Sequence, residues 1–359
     1  MLKTSRNVPD YLFGRGAITH LKDMLQHNPA SGSGPVLFLA DHFFRSKGLD
    51  SVLPVSGQDR LIFIDSTDEP TTSGINALRN SLESDGFAPA AVVGIGGGTT
   101  LDTAKALSNL LTNGGNAEDY QGWDLVKVKG VHKIGVPTLS GTGAESSRTC
   151  VMTNAASGLK LGMNSHFTVF DQLVLDPDLT ATVPSEQYFY SGADTYIHCI
   201  ESLHGRFRHP VGDAFSDQAL RLSREVFQTG NMLSPENREK LMVASYLGGC
   251  AIANSFVGVV HPVSAGLSVV LHIHHCLGNC LALNALEEFY PAEVEEFRGM
   301  LKSHEITLPR GVCSGLDESG FEQLYNATVI HEKPLSNALG DSFKDMLTRK
   351  KLRSIFETI

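Results

Sequence analysis

Several features that would define other protein classes are missing from this sequence. No uninterrupted apolar stretch is long enough to span a bilayer, and the opening residues, MLKTSRNVPDYLFGRG, lack the apolar centre of a signal peptide. Positive charge is scarce, because 29 Lys and Arg face 39 Asp and Glu, which gives a formal net charge of −10. Nucleic acid and anionic membranes are therefore not expected as partners. Repeats are also missing, and we expect a cytoplasmic globular protein.

Cysteine is also sparse and lacks a disulfide pattern. The six cysteines are scattered through the chain without a secretory signal, which favours free buried thiols: Cys150, Cys199, Cys250, Cys276, Cys280 and Cys313. Cys276 and Cys280 stand four residues apart beside histidines, a spacing that could also serve zinc. Two ligands without a second pair make a weak zinc signal, so the structural interpretation is preferred.

The spacing of apolar residues in the sequence changes clearly between its two halves. A chain of 359 residues is long enough for two domains. Its first half holds apolar runs typical of parallel strands that are buried on both faces: VLFLA (36–40), LIFI (61–64), AVVGI (91–95) and KIGV (133–136). Ile75, Leu78 and Leu82 recur at helical spacing and stop at Asp85-Gly86. Residues 148–154 and 167–175 suggest an antiparallel pair that closes the domain.

Beyond Asp176-Pro177 the pattern is helical throughout, including residues 214–227, 239–253 and 343–358. Alternation of the kind that marks strands is missing there. We therefore predict an α/β domain over residues 1–180 and an all-helical domain over residues 181–359.

The stretch AVVGIGGGTTLDTAKA (91–106) places three glycines between a strand and a helix. Backbone N–H groups of Gly96, Gly97 and Gly98 can close around a phosphate, and the helix N-terminus adds a favourable dipole. Thr99 and Asp102 have the spacing of a capping box. The alternative is that a tight strand-to-helix turn simply needs glycine, but three in succession favour phosphate binding.

Two further features extend this interpretation. PTLSGTGAE (137–145) also follows a strand and is rich in small hydroxyl residues, which suits a ligand lying across the strand ends. Asp41 follows the first strand and can either bind an adenosine ribose, which favours NAD over NADP, or cap a helix. Both functions of Asp41 remain open at this point.

The helical half contains a candidate metal site. Asp194 and His198 are one helical turn apart and therefore share a face. His261 follows, and then His272, His274 and His275. Carboxylate and imidazole suit Fe²⁺ or Zn²⁺ better than Ca²⁺ or Mg²⁺. A lone pair of this kind is often only a surface interaction, but the additional histidines favour a site.

Taken in order, several motifs make the chain resemble the iron-containing (group III) alcohol dehydrogenases: FGRGA (13–17), EPT (69–71), GGGTTLDTAK (96–105), PTLSGTGAE (137–145), LDPDLTATVP (175–184) and GADTYIHCIES (192–202). The resemblance implies a Rossmann-like dinucleotide-binding domain followed by an all-α metal-binding domain. It also implies an oxidoreductase that acts on CH–OH groups with NAD, NADP being the alternative, and with one Fe²⁺ or Zn²⁺ ion.

The resemblance also assigns individual residues. It implies that the metal ligands are Asp194, His198, His261 and His275. It implies that the cofactor contacts are Asp41, Gly96, Gly97, Gly98, Thr99, Asp102, Thr138, Thr142, Lys160 and Leu179. Many members carry a histidine four residues after the third ligand, where this chain has Ala265, so His272 or His274 is the candidate catalytic proton relay. Cys276 stands where a glycine usually follows the fourth ligand.

Within the family, DYQGWDLVK (119–127) and EFRGMLKSHEITLP (296–309) are similar to the 3-deoxy-D-manno-octulosonate 8-oxidase branch. That branch implies oxidation of the C8 alcohol of an acidic sugar in lipopolysaccharide biosynthesis, followed by a pyridoxal-phosphate aminotransferase. A basic residue should then bind the substrate carboxylate, and Arg148, Arg206 and Arg208 are candidates. The alternatives are a reductase for another aldehyde or polyol, a dehydroquinate-synthase-like lyase, and a non-catalytic binding protein. A homodimer also remains open.

Overall fold

The computed structural model describes residues 5–27 and 34–359. The first four residues of the opening segment MLKTSRNVPDYLFGRG therefore lie outside the described ranges. Two compact units divide the chain, Met1–Thr182 and Val183–Ile359. The boundary predicted from sequence was near residue 180. Each unit has its own apolar core.

The first unit is built on a six-stranded parallel sheet with the strand order β1-β9-β6-β4-β2-β3. The strands of this unit are β1 Asp10–Phe13, β2 Val36–Asp41, β3 Arg60–Ile64, β4 Ala91–Gly96, β5 Gly122–Trp123, β6 His132–Pro137, β7 Thr149–Asn154, β8 Leu159–Asn164 and β9 Gln172–Leu175. All four apolar runs singled out in the sequence lie in this sheet, which confirms the Rossmann-like fold class. Since β4 and β6 are parallel neighbours, with Gly96 opposite Pro137, the loops that follow them leave from the same edge.

The predicted antiparallel pairing of residues 148–154 with 167–175 is wrong. β7 does pair antiparallel, but its partner is β8, which lies between the two segments predicted to pair. β9 instead joins the main sheet, parallel to both β1 and β6. The physical reason is the Ser157-Gly158 turn: Gly158 has φ +64°, so a short hairpin closes there.

The described residues of this unit also form three α-helices: α1 Leu21–His27, α2 Thr72–Ser84 and α3 Gly98–Asn113. Thr71 caps α2 by accepting a bond from the Gly74 N–H at 3.0 Å. The helix stops at Asp85, and Gly86 takes φ +64°, as the sequence predicted. α3, which follows the triple glycine, is buried along most of its length.

The described residues of the second unit form helices and no strands. These are α4 Ser185–His204, α5 Pro210–Phe227, α6 Pro235–Ser255, α7 Val260–Leu271, α8 His275–Ala285, α9 Pro291–Ser303, α10 Glu318–Val329, α11 Glu332–Leu339, α12 Phe343–Met346 and α13 Arg349–Phe356. Residues 214–227 and 239–253 lie within α5 and α6 as predicted. The single helix predicted over 343–358 is wrong, because Thr348 accepts a bond from the Lys351 N–H and so starts α13 as a new helix.

Within the described ranges, none of the helices taken singly has both the length and the apolar composition of a membrane span. The pair α6 and α7 passes that test only when combined, and the two helices are bent by 103° at their junction. All six cysteines are buried and none of them forms a disulfide, as predicted.

Candidate metal centre and nucleotide site

Three helices of the second unit bring the predicted metal ligands together. Asp194 and His198 lie one turn apart on α4, while His261 and His275 lie at the first turns of α7 and α8. Single ligand atoms of Asp194, His261 and His275 all lie within 4.8 Å of one another. His198 lies next to these three residues. Its Nε2 is 3.6 Å from Asp194 Oδ1, and its ring stacks on that of His261 with the ring centroids 4.8 Å apart.

Burial and charge give these groups unusual protonation behaviour. Burial opposes ionisation of the fully buried Asp194, but the imidazoles of His198 and His275 outweigh it and hold the pKa of Asp194 well below its usual range. Burial lowers the pKa of His198 to about 4, so this ring is neutral and keeps a lone pair. His261 behaves differently: burial disfavours its charge, yet the carboxylates of Glu201 and Asp194 raise its pKa to about 9. An ion bound there must therefore displace a proton.

The donor set fits a divalent transition metal. One carboxylate and three imidazoles are ligands that suit Fe²⁺ and Zn²⁺. Asp194 Oδ2 and His198 Nδ1 are buried and have no hydrogen-bond partner anywhere in residues 5–27 and 34–359. Unsatisfied polar atoms in a protein interior are costly, and an ion between these side chains would explain an unsatisfied carboxylate oxygen.

Two residues of this cluster were missed in the sequence. Glu201 on α4 accepts a short hydrogen bond from His261 Nδ1. Asn279 on α8 donates from Nδ2 to Asp194 Oδ1 at 2.6 Å and lies 3.3 Å and 3.2 Å from the Nε2 atoms of His261 and His275. Helical spacing could have found both, because Glu201 lies two turns after Asp194 and Asn279 one turn after His275.

The remaining histidines lie in the turn between α7 and α8. His272 ends α7 with φ +55°, His274 directly precedes α8, and both are exposed. A proton relay through either one stays a prediction. Ala265 is buried on α7, one turn after His261. Cys276 and Cys280 lie in the apolar core, and the metal-ligand cluster found in the described part of the chain does not include them.

The turn between β4 and α3, formed by residues 96–98 and called the glycine turn below, has the features of a phosphate site. Gly97 is the N-cap of the 16-residue helix α3, and no described side chain caps this helix. Its first N–H groups are therefore available to an anion, which the helix dipole also favours. A Cβ at Gly96 would lie 2.6 Å from the Thr100 side chain, and one at Gly97 would lie 2.8 Å from Leu139. A side chain at either position would therefore collide with a neighbouring side chain, so the tight packing of this turn requires glycine.

The predicted capping box of Thr99 and Asp102 does not form. Thr99 is already inside α3, because the helix starts at Gly98. Asp102 is one further turn along and turns inward, where it accepts from Lys105 Nζ at 3.3 Å and from the Val151 N–H at 2.8 Å. Its function in the structure is to tie β7 to α3.

The other predicted cofactor residues are spread around the same sheet edge. Thr138 donates its N–H to the Gly96 carbonyl at 3.0 Å, so the two loops are directly bonded. Thr142 Oγ1 accepts from the Ala144 N–H at 3.3 Å, and its side chain lies beside Gly98. Asp41 caps the turn after β2, with Oδ1 accepting from the Phe43 N–H and from Ser66 Oγ. Its helix-capping alternative is thus formed.

Lys160 and Leu179 lie farther from the glycine turn in the chain. Lys160 on β8 forms an ion pair with Glu69 at 2.6 Å. Leu179 packs against the apolar core of the sheet. Binding of a cofactor by either residue stays a prediction.

Family models match this chain over most of its length. Residues 9–177 match the iron-containing alcohol dehydrogenase model, and residues 188–303 match the C-terminal model of the same family. The chain belongs to the iron-containing alcohol dehydrogenase family. The resemblance inferred from the motifs is therefore confirmed at the level of the family, although the octulosonate branch is not.

Among its relatives is a sulfoacetaldehyde reductase of Bilophila wadsworthia, which is 32% identical over 84% of this chain and 74% of that protein. An NAD-dependent methanol dehydrogenase of Bacillus methanolicus is 29% identical over 77% of this chain and 72% of that protein. Among solved structures, a 1,3-propanediol oxidoreductase matches with a TM-score of 0.83, 21% identity, and coverage of 99% of each chain. A sulfoacetaldehyde reductase of Bifidobacterium kashiwanohense in complex with NAD⁺ gives 0.83 at 21% identity, covering 99% and 98%.

Family membership settles the class of chemistry. The protein is an oxidoreductase that acts on CH–OH groups, and its cofactors are NAD and a divalent metal ion. This excludes the non-catalytic alternative and disfavours the lyase.

Proposed function

We propose that the protein interconverts a small primary alcohol and its aldehyde, R–CH₂OH + NAD⁺ ⇌ R–CHO + NADH + H⁺, at the Asp194, His198, His261 and His275 cluster. The observation that carries the proposal is a fully buried carboxylate surrounded by three imidazoles, in which Asp194 Oδ2 has no hydrogen-bond partner in the described ranges. Family membership supports the alcohol–aldehyde chemistry, and this cluster would provide the ligands of the metal ion.

Each part of the chain has a separate task. When bound, a divalent ion supplies Lewis acidity toward the substrate oxygen and lowers the pKa of a hydroxyl group. Asp194 and the three histidines would hold that ion through one carboxylate oxygen and the imidazole nitrogens. The N–H groups at the start of α3 and the glycine turn before it would bind the pyrophosphate of NAD. Because Gly96, Gly97 and Gly98 have no side chains, the backbone itself can approach the cofactor.

The substrate is proposed to be a small aldehyde or its alcohol. The relative that is 32% identical acts on sulfoacetaldehyde, and this favours reduction of a short aldehyde over oxidation of an eight-carbon sugar acid. The basic residues considered for a sugar carboxylate already have acidic partners. Arg148 pairs with Asp124, Arg206 with Asp341 at 2.9 Å, and Arg208 with Asp213 at 3.1 Å.

The test is a matched panel of substrates under anaerobic conditions with protein loaded separately with Fe²⁺ and Zn²⁺. NADH oxidation would be followed with sulfoacetaldehyde and 3-hydroxypropanal, and NAD⁺ reduction with methanol, 1,3-propanediol and 3-deoxy-D-manno-octulosonate. We expect turnover of a short aldehyde that is abolished by a chelator and restored by the metal. Turnover of octulosonate alone would replace the proposed substrate class with the sugar acid.

Inactivity toward the whole panel, in protein that binds both NAD⁺ and metal, would contradict the proposed substrate class while leaving family membership intact. NADP⁺ and NADPH in parallel reactions would report the choice between the two nicotinamide cofactors. Size-exclusion chromatography with light scattering on the same sample would show whether the protein is a homodimer, which the sequence leaves open.

A further inference from the structure

Glu201 makes a contact that neither cofactor binding nor substrate binding explains. It lies on α4, two turns after Asp194, with only 1% of its surface exposed. Its Oε1 accepts from the Val260 N–H at 2.6 Å, and its Oε2 accepts a short bond from His261 Nδ1. A buried carboxylate is costly unless its oxygens are satisfied, and here each oxygen has a donor.

The surroundings of Glu201 keep its carboxylate in one place. Val260 is the first residue of α7, so Glu201 faces a helix N-terminus, where a negative charge is favoured. A Cβ at Gly258 would lie 3.1 Å from Glu201 Oε1 and 2.7 Å from the Tyr290 hydroxyl. The chain therefore passes close to Glu201, a side chain in place of Gly258 would collide with the Tyr290 hydroxyl, and the Glu201–Val260 bond joins α4 to α7.

The contact determines which nitrogen of His261 faces the other ligands. Because Nδ1 is taken by Glu201, Nε2 is directed toward Asp194 Oδ1, 3.5 Å away. Asn279 Nδ2 is 3.3 Å from the same Nε2. An imidazole that ligates a metal through one nitrogen is oriented and made more basic when its other N–H donates to a carboxylate.

We propose that Glu201 is a positioning residue for the metal centre, which holds the proton of His261 on Nδ1 and presents Nε2 to a divalent ion. The inference rests on the proposed assignment of His261 as a ligand. It does not depend on which alcohol or aldehyde the protein turns over. The competing explanation is that Glu201 only joins α4 to α7.

Glu201→Gln separates these explanations. The amide has one acceptor and one donor where the carboxylate has two acceptors. If its oxygen faces Val260, its NH₂ faces Nδ1 and favours a proton on Nε2, which blocks the metal. If its oxygen faces His261, two N–H donors oppose each other at Val260. We therefore expect Zn²⁺ affinity to fall 10- to 100-fold, as for the loss of other outer-shell carboxylates.

The measurement is Zn²⁺ affinity by competition with a chromophoric chelator, together with thermal unfolding in excess chelator as a check of the fold. Glu186→Gln is the matched control, because Glu186 lies on the same helix and accepts from the Tyr190 hydroxyl at 2.8 Å. Glu201→Asp keeps the carboxylate and should recover part of the affinity. A folded Glu201→Gln protein with wild-type Zn²⁺ affinity would overturn the proposal.

A second measurement needs no variant and applies if Glu201→Gln does not fold. In ¹⁵N-histidine-labelled wild-type protein loaded with Zn²⁺, His261 should show a protonated Nδ1 and a metal-bound Nε2. A metal-bound or unprotonated Nδ1 would overturn the inference. Neither readout requires a substrate, so failure of the proposed reaction and failure of this inference give different results.

Discussion

Two buried polar clusters, one in each unit, differ in whether the hydrogen bonds of their charged groups are complete. In the first unit, Lys105 is fully buried and donates to the carbonyl oxygens of Ala144 and Thr149 and to Asp102. Asp102 uses its second oxygen to accept from the Val151 N–H. In the second unit, the buried Asp194 keeps one oxygen without a hydrogen-bond partner in the described part of the chain, although three imidazoles approach it.

This difference separates structural charge from ligand-binding charge. A buried ion whose bonds are complete stabilises the arrangement around it, because its removal leaves unpaired groups behind. A buried carboxylate with an unsatisfied oxygen is incomplete until something binds. On that basis the Lys105 cluster holds the loop of residues 137–145 in place, and the Asp194 cluster is the proposed metal site.

Asp194→Asn should give the largest effect, on activity. The amide preserves volume and removes the negative charge, so metal should be lost. We expect kcat/KM to fall by at least about 10³-fold, because a bound metal contributes several kcal/mol to stabilising charge in the transition state. Metal content by mass spectrometry and steady-state kinetics would test this, with the exposed Asp345→Asn as control. Full metal content in Asp194→Asn would remove this residue from the ligand set.

Lys105→Met should affect stability rather than chemistry. The variant leaves two carbonyl oxygens and Asp102 without their donor, which should lower the free energy of unfolding by about 3–5 kcal/mol. Urea unfolding would measure the change, and Lys22→Met, at an exposed position of α1, is the control. Equal midpoints for Lys105→Met and wild type would show that this cluster does not support the loops.

The two clusters differ in how far they could be predicted from the sequence. The glycine turn and its neighbouring strands were predicted because their signals are local: a buried run, then glycine, then a helix. Asp194 and His198 share a helical turn and were equally visible. Helical spacing places Glu201 and Asn279 on the same faces as Asp194 and His275, but it does not show their contacts, because their partners are distant in sequence: 60 residues for Glu201 with His261 and 85 for Asn279 with Asp194.

The wrong predictions of the capping box and of the β7 pairing also arise from contacts that a local pattern does not show. Asp102 was interpreted from its spacing to Thr99, but the helix starts one residue before Thr99, and the side chain faces β7 instead. The pairing of β7 was assigned to the wrong segment because Lys160, Gly162 and Asn164 interrupt the apolar residues of β8, so it lacks the continuous apolar pattern of the central strands. Local patterns predict an element, while its partner depends on contacts that the sequence does not display.

Lys133 is a third buried charged residue, and its contribution to stability should depend on pH. It is fully buried on β6, and its ammonium lies 3.4 Å from Ser108 Oγ, while Arg6 and Lys129 both bind the nearby Asp171. Burial lowers the pKa of Lys133 to about 8, from an ordinary value of 10.5. Between these values the unfolded chain binds more protons than the folded one, so this lysine's contribution to stability rises with pH.

The corresponding experiment compares wild type with Lys133→Met by urea unfolding at pH 7.5, 9 and 10.5. We expect the free energy of unfolding of wild type, relative to the variant, to increase by about 3 kcal/mol across this window, from 1.36 kcal/mol per pKa unit. Subtracting the variant cancels the other groups that titrate at alkaline pH. A difference that does not change with pH would show that the Lys133 charge is already compensated in the fold.

Gly98→Ala should have the smallest effect and separates binding from folding within the glycine turn. A Cβ at Gly98 would lie 3.5 Å from the Thr142 side chain, an ordinary contact, so the fold should tolerate it. The methyl group nevertheless restricts approach to the start of α3. We expect the KM for NAD⁺ to rise about tenfold, which is about 1.4 kcal/mol, with kcat at saturating NAD⁺ unchanged.

Gly96→Ala is its matched counterpart, because a Cβ there would lie 2.6 Å from the Thr100 side chain and 3.1 Å from Asp41. That variant should lose stability by about 1–3 kcal/mol through overpacking. Steady-state kinetics and urea unfolding on both variants would give opposite patterns if the turn binds the cofactor. An unchanged KM for NAD⁺ in Gly98→Ala would mean that this glycine serves only the bend between β4 and α3, and that the phosphate is bound elsewhere.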